Sequence, residues 1–83
     1  MRSFDRRVFR PLRFEGDGSG YTLIDSVEDA IGYVTDIWPV RIGKAYEDAL
    51  QACIDGISDR ISPEQVRQIL YESARSAGLH VGD

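Results

Sequence analysis

The stretch Trp38-Pro39-Val40-Arg41-Ile42-Gly43 decides how this chain folds, because it separates two helical patterns and carries the only tryptophan. Proline has no N–H with which to continue a helix, and glycine admits the backbone turn from which the next one starts. Trp38 is the largest apolar side chain among 83 residues, so it belongs in the core. The row Tyr46, Leu50, Cys53 follows at helical spacing and reads as the face that meets it.

On the N-terminal side of this hinge, Asp25 or Ser26 caps a helix that runs to about Ile37, with Glu28 and Asp29 placed to complete a capping box. Val27, Ala30, Ile31, Val34, Ile37 and Trp38 form its apolar stripe. The acids read as capping residues rather than a metal shell, since no histidine or further carboxylate stands nearby in sequence. Gly32 falls on the opposite face. A mid-helix glycine costs about 1 kcal/mol against alanine. Either another backbone passes close there, or the loss is tolerated.

On the C-terminal side, a second helix spans about Lys44 to Asp55, with Gly56 as its C-terminal cap. Its stripe is Tyr46, Ala49, Leu50, Cys53 and Ile54, extended by Ile42 and Ile57. A third helix opens on Ser62, with Pro63 at its first position, Gln65 completing a capping box and Ile61 stapling onto Val66. Val66, Ile69, Leu70, Ala74 and Ala77 face inward, and Gly78 ends the helix. The small alanines permit close packing against another helix.

Before the helices, Val8 to Phe14 reads as a strand with Val8, Leu12 and Phe14 on one face, and Pro11 assigns it to a sheet edge. Tyr21 to Ile24 pairs with it as a hairpin across Glu15-Gly16-Asp17-Gly18-Ser19-Gly20. Those evenly spaced glycines, followed by a strand rather than a helix, do not match the dinucleotide-binding fingerprint. The expected class is therefore α+β: a two-stranded antiparallel hairpin followed by three helices, in one domain over residues 8–83, behind a loosely ordered Arg-rich lead-in at 1–7. Trp38, Tyr46, Leu50, Cys53, Ile69 and Leu70 are its expected core.

Composition narrows the functions. A lone cysteine makes no internal disulfide, the Arg-rich start lacks the apolar run of a signal peptide, and no segment is long enough to span a membrane, so a cytoplasmic location is expected. The net charge is −4, although residues 1–14 hold five arginines against Asp5. Overall acidity makes nucleic acid an unlikely partner. Cys53 has no companion His, Cys or cation on its face and reads as a core residue. His80 stands alone near the C-terminus. No catalytic residue, metal ligand or cofactor site emerges from the pattern, and an enzyme is not expected. One outward feature stands apart: Tyr71 on the polar face of the third helix, with Arg67 and Arg75 one turn before and after. This row is either a candidate interaction surface or a ring shielded by its own arginines.

The assembled pattern resembles the domain of unknown function 982, small proteins of rhizobia and related alphaproteobacteria. The resemblance is carried by the hairpin and capped helix, Trp38-Pro39 with Gly43, then Ala45, Ala49, Cys53 and Gly56, and Arg67, Ala74, Ala77 and Gly78, over roughly residues 11–81. Ser73 stands where a second alanine is common, which is expected to loosen helix packing slightly. The resemblance implies the fold and brings no activity, cofactor or catalytic residue. The expected function is a non-catalytic protein-interaction or regulatory module acting on an unknown protein partner or on itself as a homodimer. A nucleic-acid accessory protein using the N-terminal arginines, or a small-ligand carrier, is the alternative.

Overall fold

A computed structural model of the chain describes residues 7–16 and 20–82. Its elements are β1 (Val8–Glu15), β2 (Tyr21–Ser26), α1 (Val27–Asp36), α2 (Lys44–Ile57), α3 (Pro63–Ser76) and β3 (Val81–Gly82). The class is α+β, as the order of strand and helix signals requires. The sheet, however, has three antiparallel strands in the order β2-β1-β3 rather than two. β3 is only two residues long, too short to show a period in sequence. It is held by pairing of Arg13 with Gly82 and Phe14 with Val81, and by the Glu15 N–H donating to the His80 carbonyl at 2.9 Å.

That third strand makes β1 central, which overturns the edge position inferred from Pro11. The proline is tolerated because the ladder to β2 is irregular between Val8 and Leu12, and β3 reaches only as far as Arg13. The irregularity also changes the inner face. Phe9, Leu12 and Phe14 are buried, whereas Val8, expected inside, is 59% exposed. Residues 1–6 and 17–19 lie outside the described residues, and with them most of the Arg-rich lead-in and Gly18. At the edge of the lead-in, Arg7 spans Asp59 (3.1 and 3.2 Å) and Glu28 (3.1 Å).

α1 begins at Ser26, whose Oγ accepts the Asp29 N–H at 3.1 Å. It ends where the N–H groups of Ile37 and Trp38 both donate to the Tyr33 carbonyl. The chain thus leaves the helix early enough for Trp38 to turn inward, 1% exposed, while Ile37 stays outside at 53%. Tyr33 bridges the tryptophan to the sheet, with ring centroids 6.2 Å from Trp38, edge-on, and 4.4 Å from Phe14. Gly43 caps α2 at φ +96°, a conformation that favours glycine.

The buried face of α2 is Ala49, Ala52, Cys53 and Gly56. Tyr46 and Leu50 pack partly buried against the same core, while Ile42, Ile54 and Ile57, expected to extend the stripe, are exposed. The inner face is made of small residues, so the helix sits close to its neighbours and its larger apolar residues fall at the margin. Gly56 is not the cap. α2 continues to Ile57, and Asp59 at φ 62° makes the turn, its N–H donating to the Gly56 carbonyl at 3.2 Å. A Cβ on Gly56 would stand 2.5 Å from Val66 Cγ2 of α3 and 3.2 Å from Val27 Cγ1 of α1. Nothing lies within 4 Å of the same point on Gly32, so the close approach considered there occurs at Gly56 instead.

α3 starts as its sequence requires. The Ser62 N–H donates to Gln65 Oε1 at 2.8 Å and the Gln65 N–H to Ser62 Oγ at 3.1 Å. It stops at Ala77, which is exposed as the C-terminal cap, with Gly78 at φ +82° and the Leu79 N–H donating to the Ala74 carbonyl. Ile69 is partly buried; Leu70 and Ala74 are fully so. The crowded glycine gives a direct test by chemical denaturation. Gly56→Ala should lower stability by about 1–3 kcal/mol through overpacking, despite its gain in helix propensity. Gly32→Ala, into open space, should raise it by about 0.5–1 kcal/mol.

Candidate functional site

The Arg67-Tyr71-Arg75 row does not form one surface. Arg67 is only 4% exposed, and its Nε donates to the Arg10 carbonyl at 2.8 Å. The irregular ladder at Pro11 takes that carbonyl out of regular pairing, and the buried guanidinium satisfies it. Helical periodicity places Arg67 on the polar face, but α3 is covered by β1 as well as by α2, so two of its sides are buried. Tyr71 and Arg75 close on each other instead. Arg75 Nη1 donates to the Tyr71 hydroxyl at 3.0 Å, and its guanidinium lies 5.7 Å from the ring centroid. The hydroxyl raises the Arg75 pKa by hydrogen bonding. This is the shielded-ring alternative.

The other reactive groups are likewise placed by structure. Cys53 is buried, and burial pushes its thiol up to about 12, so the thiolate is suppressed at neutral pH. The His80 carbonyl serves β3, and its side chain is exposed. Among the described residues no three His, Cys, Asp or Glu side chains are grouped to hold a metal ion. Desolvation raises the Glu28 pKa, but hydrogen bonds from its own backbone and from Arg7 outweigh this and hold it below the usual carboxylate range.

One groove of about 370 Å³ is lined by Arg10, Pro11, Arg13, Leu23 and Arg67, and two others lie beside the helices. The larger, about 510 Å³, runs between α2 and α3 over Ala45, Ala52 and Ser73. Its polar rim is already paired, Lys44 with Asp48, Gln51 with Asp55 and Gln68 with Glu72. Another, about 370 Å³, lies between β2 and α1, with Thr22, Leu23 and Ile24 on one wall and Glu28, Asp29, Gly32 and Asp36 on the other.

The backbone along that second groove is distinctive. In an antiparallel ladder the N–H and C=O of one residue point to the same side, and successive residues alternate. Glu15 points to β3, since its N–H donates to His80, so Phe14 and Leu12 point to β2 and pair with Thr22 and Ile24. Tyr21 and Leu23 therefore aim their N–H and C=O groups away from β1. No strand borders β2 on that side among the described residues. Leu23 and Tyr21 also expose their side chains, at 54% and 60%, on the sheet face that no helix covers, beside Arg13, which stacks on the Tyr21 ring at 5.3 Å.

Sequence reasoning passed over this edge because it depends on strand order. Its only local signal was a β-prone run whose alternate residues, Tyr21 and Leu23, are too apolar for solvent.

The reassignment of Arg67 is checked by thermal and denaturant unfolding. Arg67→Ala should cost about 1.5–3 kcal/mol, because it removes the donor to the part-buried Arg10 carbonyl and opens a void. Arg75→Ala, on the surface, should change stability by less than about 0.5 kcal/mol.

No curated protein and no solved structure matches the chain. The family model described as a protein of unknown function, DUF982, matches residues 10–81. With all six elements but the first two residues of β1 and the last of β3 inside that span, the chain belongs to the DUF982 family.

Proposed function

We propose that this protein is a non-catalytic interaction module that takes an extended segment of a partner protein as an additional strand on β2. The observation that carries the reading is the pair of outward-facing backbone positions, Tyr21 and Leu23, on a six-residue edge strand that opens onto a groove. An exposed strand edge is a template for pairing, and soluble proteins usually blunt it with a covering element, a bulge or charge. Here α1 lies alongside without covering it, the arrangement in which main-chain hydrogen bonds supply affinity and flanking pockets supply specificity. A regulatory role would follow from which segment is captured.

Other readings have weaker support. Of the described N-terminal arginines, Arg7 is committed to Glu28 and Asp59, while Arg10, 3.7 Å from Glu64, and Arg13, stacked on Tyr21, are the exposed cations that a nucleic-acid reading would have to use. No helix is long and apolar enough to cross a membrane among the described residues.

Proline at Leu23 removes the outward N–H while leaving the bonds to β1, a position at which edge strands accept proline. Selection from a displayed library of random linear peptides should enrich binders on the wild-type protein that Leu23→Pro no longer retains. Binders that hold equally well to both proteins would contradict the reading.

A further inference from the structure

Independently of the strand edge, we infer that the groove at the irregular part of β1 binds a small phosphomonoester, holding its dianionic head between Arg10 and Arg13. The groove, of about 370 Å³, is lined by Arg10, Pro11, Arg13, Leu23 and Arg67, three guanidinium groups and no carboxylate. It concentrates positive charge on a chain whose net charge is −4.

The irregular register creates this concentration. Residues three apart on a regular strand point to opposite faces. Between Val8 and Leu12 the ladder slips, so that Arg10 and Pro11 are exposed in succession and Arg10 comes to share a groove with Arg13. Arg67, 4% exposed, fixes that geometry from α3 through its bond to the Arg10 carbonyl.

Arg10 and Arg13 also differ from the other cations. Arg7, Arg41, Lys44, Arg60, Arg67 and Arg75 each donate a side-chain hydrogen bond. Arg10 and Arg13 are the two that donate none among the described residues. Glu64, the carboxylate beside Arg10, stands 3.7 Å away, outside hydrogen-bond reach, and lies 3.9 Å from Arg67 as well. Arg13 rests its face on the Tyr21 ring at 5.3 Å, a contact that orients the guanidinium and leaves its in-plane N–H donors available.

Guanidinium forks match the oxygens of a phosphate, and an excess of guanidinium over carboxylate favours two negative charges over one. Leu23 and Pro11 offer apolar surface to the carbon part of the ligand. A polynucleotide fits less well, because its affinity grows with the number of phosphates neutralised, and here two exposed arginines supply the contacts.

Phenyl phosphate and phenyl sulfate share a shape but carry about two and one negative charges at about pH 7.5. NMR titration of the full chain with each, read at the arginine Nε–H resonances and the Leu23 methyl groups, tests the inference. Phenyl phosphate should bind with a Kd of about 1 mM or tighter and about five-fold more tightly than phenyl sulfate, shifting Arg10, Arg13 and Leu23. Arg10→Gln and Arg13→Gln should each weaken it about five-fold, whereas Arg75→Gln, outside the groove, should leave it unchanged. Should one groove variant fail to fold, the other decides.

Equal weakening by all three substitutions, or shifts spread over every exposed cation, would show an adventitious ion only and overturn the site. Equal affinity for the two probes, or no saturable shift with phenyl phosphate, would overturn the phosphomonoester. A short oligouridylate that binds where phenyl phosphate does not would assign these arginines to a polyanion and overturn the small ligand.

Discussion

Three helices converge at Gly56, where a single added methyl group would collide with Val66 and crowd Val27. In a chain this short a single core has little stability to spare, and close approach replaces bulk as the means of packing it. The buried face of α2 is glycine, alanine and cysteine, so α1 and α3 can both reach it. The large side chains, Trp38, Phe14, Leu12 and Leu70, then fill the layer shared with the sheet. Were α2 held off by a larger residue at position 56, α3 would move relative to β1, and the bond from Arg67 to the Arg10 carbonyl would move with it.

That bond is the second link. β1 carries a proline and an irregular register in the centre of a sheet, a combination that leaves a carbonyl without its ladder partner. Arg67 reaches from α3 to supply the donor, which explains why an arginine is buried there without a role at the surface. With β1 stabilised in the centre and β3 confined to two residues on its far side, β2 is left as the long edge. The opening proposed for a partner is thus a consequence of how the core is packed.

Much of this was legible in the chain. The caps at Ser26 and Ser62, the hinge at Trp38-Pro39, the positive-φ glycine before α2 and the stop at Gly78 are short-range signals, and each lies where its local chemistry put it. The failures share a different physical origin. Helical spacing alone places Arg67 in solvent, whereas its burial depends on a carbonyl outside the regular ladder, 57 positions away. Pro11 reads as an edge residue because the strand beyond it is two residues of non-local pairing. Gly56 looked like a cap because glycine after a helical run is more often a terminus than a contact, and only the crossing of three helices distinguishes the two. The β2 edge depends on strand order, which no local pattern encodes. Tyr71 and Arg75 illustrate the opposite case, where spacing alone described the pair correctly and only its availability was open.

Amide hydrogen exchange along β2, followed residue by residue by NMR on the isolated protein, tests the central claim most directly. If β2 is a free edge, Thr22 and Ile24 should be protected by their bonds to β1, while Tyr21 and Leu23 exchange at rates near those of an open chain. Protection of Leu23 equal to that of its neighbours would mean that the edge is already covered, and would contradict the account.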